Sequence, residues 1–220
     1  MENVLRLTVG NLRGLASLRD LLDLANVEAP GPSPSFAAPH ILLVFLTISR
    51  HSYVGRQSLA RQCGLGEGAT RTVLKKLTSE GWIGVIRSGC YLTRSGKLLA
   101  KAIEASVSPL VSIPRSGLTM GEHQAALVLR GAGGTVRSGI EQRDSAIRIG
   151  ASGATTYVMK SGKFTIPGGS SNCERDFPDT AWALLKKELV PRDGDAVILC
   201  GAGDEVSARL GALAAATTLL

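Results

Sequence analysis

The sequence predicts an α+β fold, and three observations lead to that prediction. Residues 53–99 carry, in order, the signals of a helix, a glycine-rich turn, a second helix, two short strands and a closing helix. Residues 40–103 hold ten basic and two acidic residues, a net charge of +8 in a chain whose total is +7. After residue 118, strand patterns precede a helix, a strand and a last helix. Together these features predict an N-terminal winged helix-turn-helix domain followed by a small two-layer α/β sandwich domain.

The chain divides, on this interpretation, into three segments. Residues 1–30 form an N-terminal amphipathic helix and linker, residues 31–108 the winged helix-turn-helix domain, and residues 115–220 an α+β effector or dimerisation domain. In residues 11–25 the leucines recur on one helical face. That face indicates either a dimerisation or domain-bridging helix, or a helix that covers the core of its own chain. Residues 29–36 are rich in proline, glycine and serine, which is typical of a linker.

The winged domain is expected to hold its elements in a fixed order. We expect helices over residues 40–51, 57–63, 69–80 and 94–106, and strands over residues 82–86 and 90–92. The first helix is too apolar for a surface helix and should be buried. In the third helix, residues 70, 73, 74 and 77 recur at helical spacing and should face inward. Gly81 is expected to end that helix, and Thr93 to cap the last one.

The second domain is expected to begin near Leu118, after a break with proline and serine at residues 106–117. Strands are predicted over residues 124–130, 146–150, 155–159, 163–166 and 196–200, and helices over residues 179–189 and 205–219. Ser161-Gly162 is a hairpin turn signal between two of the strands. The glycines of residues 131–134 predict a flexible loop, and no Lys-Ser or Lys-Thr pair follows them, so this is not a phosphate-binding P-loop.

The third helix of the winged domain carries the residues expected to read DNA. A recognition helix lies in the major groove, where an arginine can make two hydrogen bonds to guanine. The local excess of positive charge predicts a polyanion, double-stranded DNA, as partner. We expect Arg71, Thr72 and Lys75 to contact bases, Lys76, Arg56 and Arg61 to contact phosphates, and Arg87 and Arg94 to act at the wing. Winged domains also serve as modules that bind a protein or RNA, and that alternative stays open.

Two clusters in the second domain are candidates for binding a small anionic effector. The residues concerned are Arg143, Asp144 and Arg148, just before and within a predicted strand, and Gly201, Gly203 and Asp204, between a strand and a helix. Arginines pair with carboxylates or phosphates, and a helix N-terminus attracts anions. The alternative for the first cluster is a set of surface salt bridges. For the second it is a tight turn with Asp204 as helix cap, because Val206 stands where a dinucleotide-binding motif has its third glycine.

No residue pattern supports catalysis, and we expect no catalytic residues, no bound metal and no cofactor. The three histidines are scattered, and the four cysteines form no C-x-x-C pair. An enzyme acting on a small phosphorylated or nucleotide substrate in the C-terminal domain remains as an alternative. The apolar runs are too short to span a bilayer, which together with the unpaired cysteines predicts a cytoplasmic location.

The motif GLGEG-x-x-RT at residues 64–72 is the most specific of several segments with a known counterpart. The others are residues 31–36, 55–56, 89–90, 92–93, 143–146, 150–156 and 201–215. In these segments the chain resembles a family of uncharacterised archaeal proteins that pair a winged helix with a C-terminal domain of unknown function, DUF4443. The resemblance implies a C-terminal domain similar to the GAD-like insert of some aspartyl-tRNA synthetases and tRNA-dependent amidotransferases, and a transcription regulator. Regulators of this size usually act as homodimers, which we also expect here.

Overall fold

The computed structural model describes residues 16–26 and 35–220, and its first element is the short helix α1 (Leu18–Asp23). Ser17 caps this helix, because its hydroxyl accepts a hydrogen bond from the Asp20 N–H and the Asp20 carboxylate accepts one from the Ser17 N–H. Leu21 is buried in the same core as α2. In the described residues, α1 thus covers the core of its own chain. The rest of the predicted helix over residues 11–25, and most of the linker over residues 29–36, lie outside the described residues.

Four helices and a hairpin then follow in the predicted order. They are α2 (Ala38–Ser49), α3 (Arg56–Gln62), α4 (Glu67–Ser79), the antiparallel strands β1 (Ile83–Ile86) and β2 (Gly89–Leu92), and α5 (Arg94–Ser106). Helix α2 is buried along most of its length, as its composition predicted. Helix α4 begins two residues earlier than predicted. Gly66 adopts the extended conformation of an N-cap, and the negative charge of Glu67 suits the positive end of the helix dipole.

The inward face of α4 and the caps of the neighbouring helix ends are confirmed. The buried residues of α4 include Thr70, Val73, Leu74 and Leu77. Gly81, directly after α4, has a φ of +71°, a left-handed conformation that favours glycine. The Thr93 hydroxyl accepts a hydrogen bond from the Gly96 N–H at 3.1 Å and so caps α5.

The second part of the chain is built on one antiparallel sheet of five strands. They are β3 (Val111–Ile113), β4 (His123–Leu129), β5 (Gly153–Lys160), β6 (Lys163–Thr165) and β7 (Ala196–Ala202), in the spatial order β3-β4-β7-β5-β6. Every neighbouring pair is antiparallel. The helices are α6 (Ile140–Arg148), α7 (Cys173–Asp176), α8 (Ala181–Leu189) and α9 (Glu205–Thr217). The strand that comes last in the sequence is therefore the central strand of the sheet.

Three local predictions for this part were wrong. Residues 146–150, predicted as a strand, lie in and just after α6, where Ala146 is buried beside Gly211 of α9. The cluster at residues 141–144 therefore lies on a helix and does not precede a strand. The predicted break over residues 106–117 contains β3, a short edge strand between Pro109 and Pro114, a position in a sheet where prolines are tolerated. The glycine loop over residues 131–134 is mostly a short 3-10 helix, Ala132–Thr135.

The predicted two-layer sandwich is also wrong, because helices cover both faces of the sheet. Val197 and Leu199 of β7 belong to the core that contains the side chains of α8. Ile198 and Cys200 of the same strand belong to the core that contains α9. Since successive residues of a strand point to opposite faces, an unbroken apolar run in β7 needs cover on both sides. The fold remains α+β, with three layers in its second part.

One hydrophobic core runs through both parts of the chain. It joins Ile41 and Phe45 of α2 to Leu210 and Leu213 of α9 and to one face of the sheet. The glycine turn between α3 and α4 also reaches α9, since a Cβ on Gly64 would lie 3.0 Å from Val206 Cγ1. The predicted division between residues 108 and 115 therefore does not coincide with a gap in packing.

Candidate nucleic-acid interface

Basic side chains from three elements line one open groove, which we call the hairpin groove. Arg71 and Lys75 lie one turn apart on the exposed face of α4, Arg56 is the first residue of α3, and Arg87 is in the loop between β1 and β2. All four line a concave surface with a volume of about 520 Å³. Four of the eight residues predicted to contact DNA thus meet at one place.

The geometry of the hairpin explains why Arg56 and Arg87 face the same groove. Ile86 pairs with Gly89, which leaves Arg87 and Ser88 as a two-residue loop. Val54 adds to the hairpin through two backbone hydrogen bonds with Cys90, of 3.0 and 2.9 Å. Gly89 has a φ of +133°, and a Cβ there would overlap the backbone of Val54. The hairpin is therefore held against the residues that lead directly into α3.

The described residues that line the hairpin groove carry four positive charges and no negative charge. None of the four cations forms an ion pair with a described carboxylate within 4.0 Å. Glu67 lies one turn before Arg71 on α4 without pairing to it. Burial raises the pKa of the Cys90 thiol, which lines the groove, and the charge of Arg56 only partly opposes that shift. The groove therefore presents cations and a protonated thiol.

The hairpin groove also contains apolar side chains that the sequence analysis missed. Val85 is 58% exposed and Ile86 is 47% exposed, and both line the groove beside Leu74. A local signal was present for Ile86, which lies on the face of β1 opposite to the buried Ile83, whereas Val85 shares the face of Ile83 and has no such signal.

The remaining four residues predicted to contact DNA do not line the groove. Thr72 is exposed on α4, and its hydroxyl donates a hydrogen bond to the Gly68 carbonyl at 3.0 Å. Arg61 and Arg94 are exposed, in the last turn of α3 and at the start of α5. Lys76 is directed away from the groove, because its Nζ donates a hydrogen bond to the Leu24 carbonyl after α1 at 2.8 Å.

The residues predicted to bind a small anion take separate structural roles in the second part of the chain. Arg143 pairs with Asp144 at 3.0 Å and lines a shallow pocket of about 120 Å³, while Arg148 is exposed at the end of α6. Gly201 lies inside β7, where a Cβ would overlap the carbonyl of Met120. The Gly203–Asp204 pair is exposed before α9.

Asp204 caps α9, as the alternative interpretation of this turn predicted. Its carboxylate accepts hydrogen bonds from the hydroxyl and the N–H of Ser207 at 2.7 and 2.9 Å. These hydrogen bonds, led by that from the hydroxyl, hold the pKa of Asp204 below its usual value. The negative charge of this cap occupies the site where an anion would bind the helix N-terminus.

The structure gives no sign of a metal centre in the part of the chain that it describes. Within residues 16–26 and 35–220, no three side chains of His, Cys, Asp or Glu come together as metal ligands. The cysteines Cys63, Cys90, Cys173 and Cys200 are buried and unpaired. Burial raises the pKa of the Cys200 thiol to about 12. Among the same residues, no helix has the length and apolar character needed to cross a membrane.

The second part of the chain matches a known protein family. Residues 120–219 match a protein family described as a domain of unknown function (DUF4443). The chain is also similar in structure to a hypothetical protein from the archaeon Pyrococcus horikoshii OT3, with a TM-score of 0.69 and 26% sequence identity over 84% of this chain and 93% of that chain. No curated protein matches the chain. Residues 120–219 thus carry a DUF4443 domain, within a chain that resembles an archaeal protein along most of its length.

Proposed function

We propose that residues 38–106 form a winged helix-turn-helix domain that binds double-stranded DNA, and that the protein is a transcriptional regulator. The single observation that carries the proposal is the convergence of Arg56, Arg71, Lys75 and Arg87 from three elements on one groove without an acidic neighbour in its lining. In this proposal the DUF4443 domain senses an effector or joins two protomers. The function includes no catalytic step.

The order and packing of the elements support the winged-helix part of the proposal. Helices α2, α3 and α4 are followed by the hairpin of β1 and β2, and Val54 adds to that hairpin from the segment before α3. The buried face of α4 packs into the domain, so its opposite face is available for a partner. In winged domains the helix at this position enters the major groove.

The positions of the cations suggest how DNA would be contacted. Arg71 lies in the first half of α4, the part of a recognition helix that reaches base edges, and would contact guanine. Lys75, one turn further along α4, would contact a neighbouring base, and Arg56 would contact a phosphate. Arg87, in the hairpin loop, would reach the backbone or the neighbouring minor groove. Each phosphate contact releases condensed counterions, so the proposal requires a strong dependence of affinity on salt.

The test is fluorescence anisotropy of the full chain on a DNA duplex from upstream of its own gene and on a random duplex, each across a salt series. We expect the double variant Arg71→Gln/Lys75→Gln to lower the affinity for the upstream duplex about 100-fold and to reduce the preference for that duplex over the random one. The matched control is Lys160→Gln/Lys163→Gln, which removes two exposed charges from the β5–β6 hairpin. Equal losses for both variants, or no loss for either, would contradict the proposal.

A second candidate, a module that binds a protein, is favoured by the exposure of Val85 and Ile86 in the groove. Apolar contacts depend little on salt, whereas contacts to phosphates depend on it strongly. A flat salt series with weak, equal binding to both duplexes would therefore favour this candidate.

We also propose that the regulator is a homodimer, since paired half-sites suit a two-fold assembly. Sedimentation equilibrium of the free protein measures that directly.

A further inference from the structure

A cleft that the predicted DNA contacts do not use lies between the two parts of the chain. It is bounded by the end of α2, by α3, by β3 and by the first turns of α9, and has a volume of about 200 Å³. We call it the α2–α9 cleft. Its polar lining consists mainly of Arg50, His51, Gln62, Ser112, Glu205 and Arg209. Ligand pockets for drug-sized molecules usually measure about 300–1,000 Å³, so this cleft suits a smaller molecule.

Two arginines from different parts of the chain meet in this cleft. Arg50 follows the last turn of α2, and Arg209 lies on the second turn of α9. Burial lowers the pKa of Arg50, and repulsion from Arg209 lowers it further, while Glu104 acts in the opposite direction. Packing of the shared core thus brings two like charges together, at an energetic cost that an anion between them would relieve.

Neither arginine makes a direct ion pair with a carboxylate among the described residues. No ion pair within 4.0 Å and no side-chain hydrogen bond is made by Arg50 or Arg209 in that part of the chain. Glu205 also lines the cleft, one turn before Arg209, and His51 adjoins Arg50. Apart from His51, the lining carries two positive charges and one negative charge.

Arg130 shows how the same fold treats an arginine that it neutralises. Its guanidinium donates a hydrogen bond to the Asp195 carboxylate at 2.8 Å and others to the carbonyls of Leu189 and Val190 at 3.1 and 3.0 Å. All of these hydrogen-bond acceptors of Arg130 are atoms of the protein itself. The guanidinium groups of Arg50 and Arg209 have no such internal acceptors among the described residues, and both face a cleft of molecular size.

We propose that the α2–α9 cleft binds a phosphate group, as inorganic phosphate or as the phosphate of a small monoester, between Arg50 and Arg209. Guanidinium groups form paired hydrogen bonds with phosphate oxygens. Ser112 and Gln62 supply neutral donors, since one N–H of the Gln62 amide donates to Ser58 and the other is available. The ligand would touch α2 and α9 at once and so hold the two parts of the chain together. The proposal stands whether or not the protein binds DNA.

The test is isothermal titration of the full chain with potassium phosphate and with glycerol phosphate, at an ionic strength held constant with potassium chloride. We expect Arg50→Gln and Arg209→Gln each to weaken phosphate binding at least tenfold. Arg137→Gln is the matched control, since it removes the same charge from an exposed arginine of the second part of the chain that does not line the cleft, and we expect no more than a twofold change. Tighter binding of glycerol phosphate would identify the monoester as the ligand.

The variant Glu205→Gln is expected to change the phosphate affinity in the opposite direction. It removes the negative charge from the cleft, so we expect it to strengthen phosphate binding at least threefold, an effect that an unfolded or damaged variant does not produce. Thermal unfolding of each variant without phosphate shows that it is folded. Three results would overturn the proposal: no heat beyond that of chloride, an equal loss for Arg137→Gln, or, in a parallel titration with potassium malonate, tighter binding of malonate than of phosphate.

Discussion

The hairpin groove and the α2–α9 cleft both collect arginines, but they differ in shape and in the origin of their charges. The groove is open, its four cations come from neighbouring elements of one part of the chain, and its lining has no carboxylate. The cleft has less than half that volume, takes one arginine from each part of the chain, and includes Glu205. An open row of cations suits a long polyanion, whereas two converging arginines suit one small anion. The same residue type thus indicates two classes of ligand.

The comparison is tested most strongly by reversing charge in the groove. We expect Arg71→Glu/Lys75→Glu to lower DNA affinity on the order of 1,000-fold, because repulsion of phosphates is added to the loss of attraction. The same variant should leave phosphate binding in the cleft within twofold of the unchanged protein. On a single preparation of the variant, fluorescence anisotropy measures the DNA affinity and isothermal titration measures the phosphate affinity. If both affinities fell together, the two regions would not be independent sites.

Arg130, unlike the arginines of the groove and the cleft, is paired with a carboxylate, Asp195, and serves stability. Burial alone would raise the pKa of Asp195, but hydrogen bonds from the N–H groups of Arg192 and Gly131 and from Arg130 outweigh it and hold the pKa below its usual value. Asp195→Asn should therefore lower the free energy of unfolding at neutral pH by about 2 kcal/mol. Denaturant unfolding measures this loss, and Arg209→Gln, whose arginine has no carboxylate partner, should show none.

The pH dependence of that loss has a defined sign. A carboxylate whose pKa is lower in the folded state contributes stability above its unfolded pKa of about 3.9, and this contribution disappears as the pH falls through the folded value. The stability difference between Asp195→Asn and the unchanged protein should therefore be fully present at pH 7 and shrink below pH 4. A stability difference that stayed constant down to pH 2 would show that the negative charge of Asp195 does not contribute to the stability of the fold.

Gly64 tests whether the contact between the α3–α4 turn and α9 holds the two parts together. Its φ of +64° is strained for any residue with a side chain, and an added Cβ would crowd Val206 at 3.0 Å. Gly64→Ala should therefore lower the free energy of unfolding by about 1 kcal/mol. Gly81→Ala is the matched control, because Gly81 has a similar φ of +71° but open space around it, so its loss of stability should be smaller. Chemical denaturation measures the free energy of unfolding of both variants. An equal loss in the two variants would refute the contact between the turn and α9.

The smallest expected effect concerns Lys76, which belongs to neither site. Its ammonium donates a hydrogen bond to the Leu24 carbonyl, on the side of α4 that faces α1. Lys76→Gln should therefore change DNA affinity by less than twofold in the anisotropy assay, whereas Arg71→Gln should lower it at least tenfold. A loss for Lys76→Gln as large as that for Arg71→Gln would place the DNA on a wider surface than the hairpin groove.

The elements of the first part could be predicted from sequence because their signals are local. Thr93 as a cap, Gly81 as a helix stop and the helical spacing of the apolar residues of α4 each act within a few residues. Arg71 and Lys75 followed from the same spacing, whereas Arg56 and Arg87 were expected from their places in the order of elements. Residues 146–150 could not be assigned in this way, because Ala146 is buried by Gly211 of α9, sixty-five positions later in the chain.

The parts of the sites that were missed depend on distant packing in the same way. The convergence of Arg50 and Arg209 follows from the contact between α2 and α9, for which neither helix carries a local signal. The short strand β3 exists because Val111 and Ile113 pair with β4, although prolines on both sides suggested a loop. The direction of Lys76 likewise depends on where α1 ends.

The central position of β7 has a consequence for protein synthesis. Strand β7 and helix α9 are translated after all other described elements, yet β4 and β5 are joined only through β7, and α2 is buried against α9. At translation speeds of about 5–20 residues per second, roughly ten to thirty seconds separate the appearance of α2 from that of α9. During that interval an apolar helix and two unpaired strand edges are exposed on the nascent chain. We therefore expect the emerging polypeptide to be a client of chaperones that shield apolar segments until its last strand arrives.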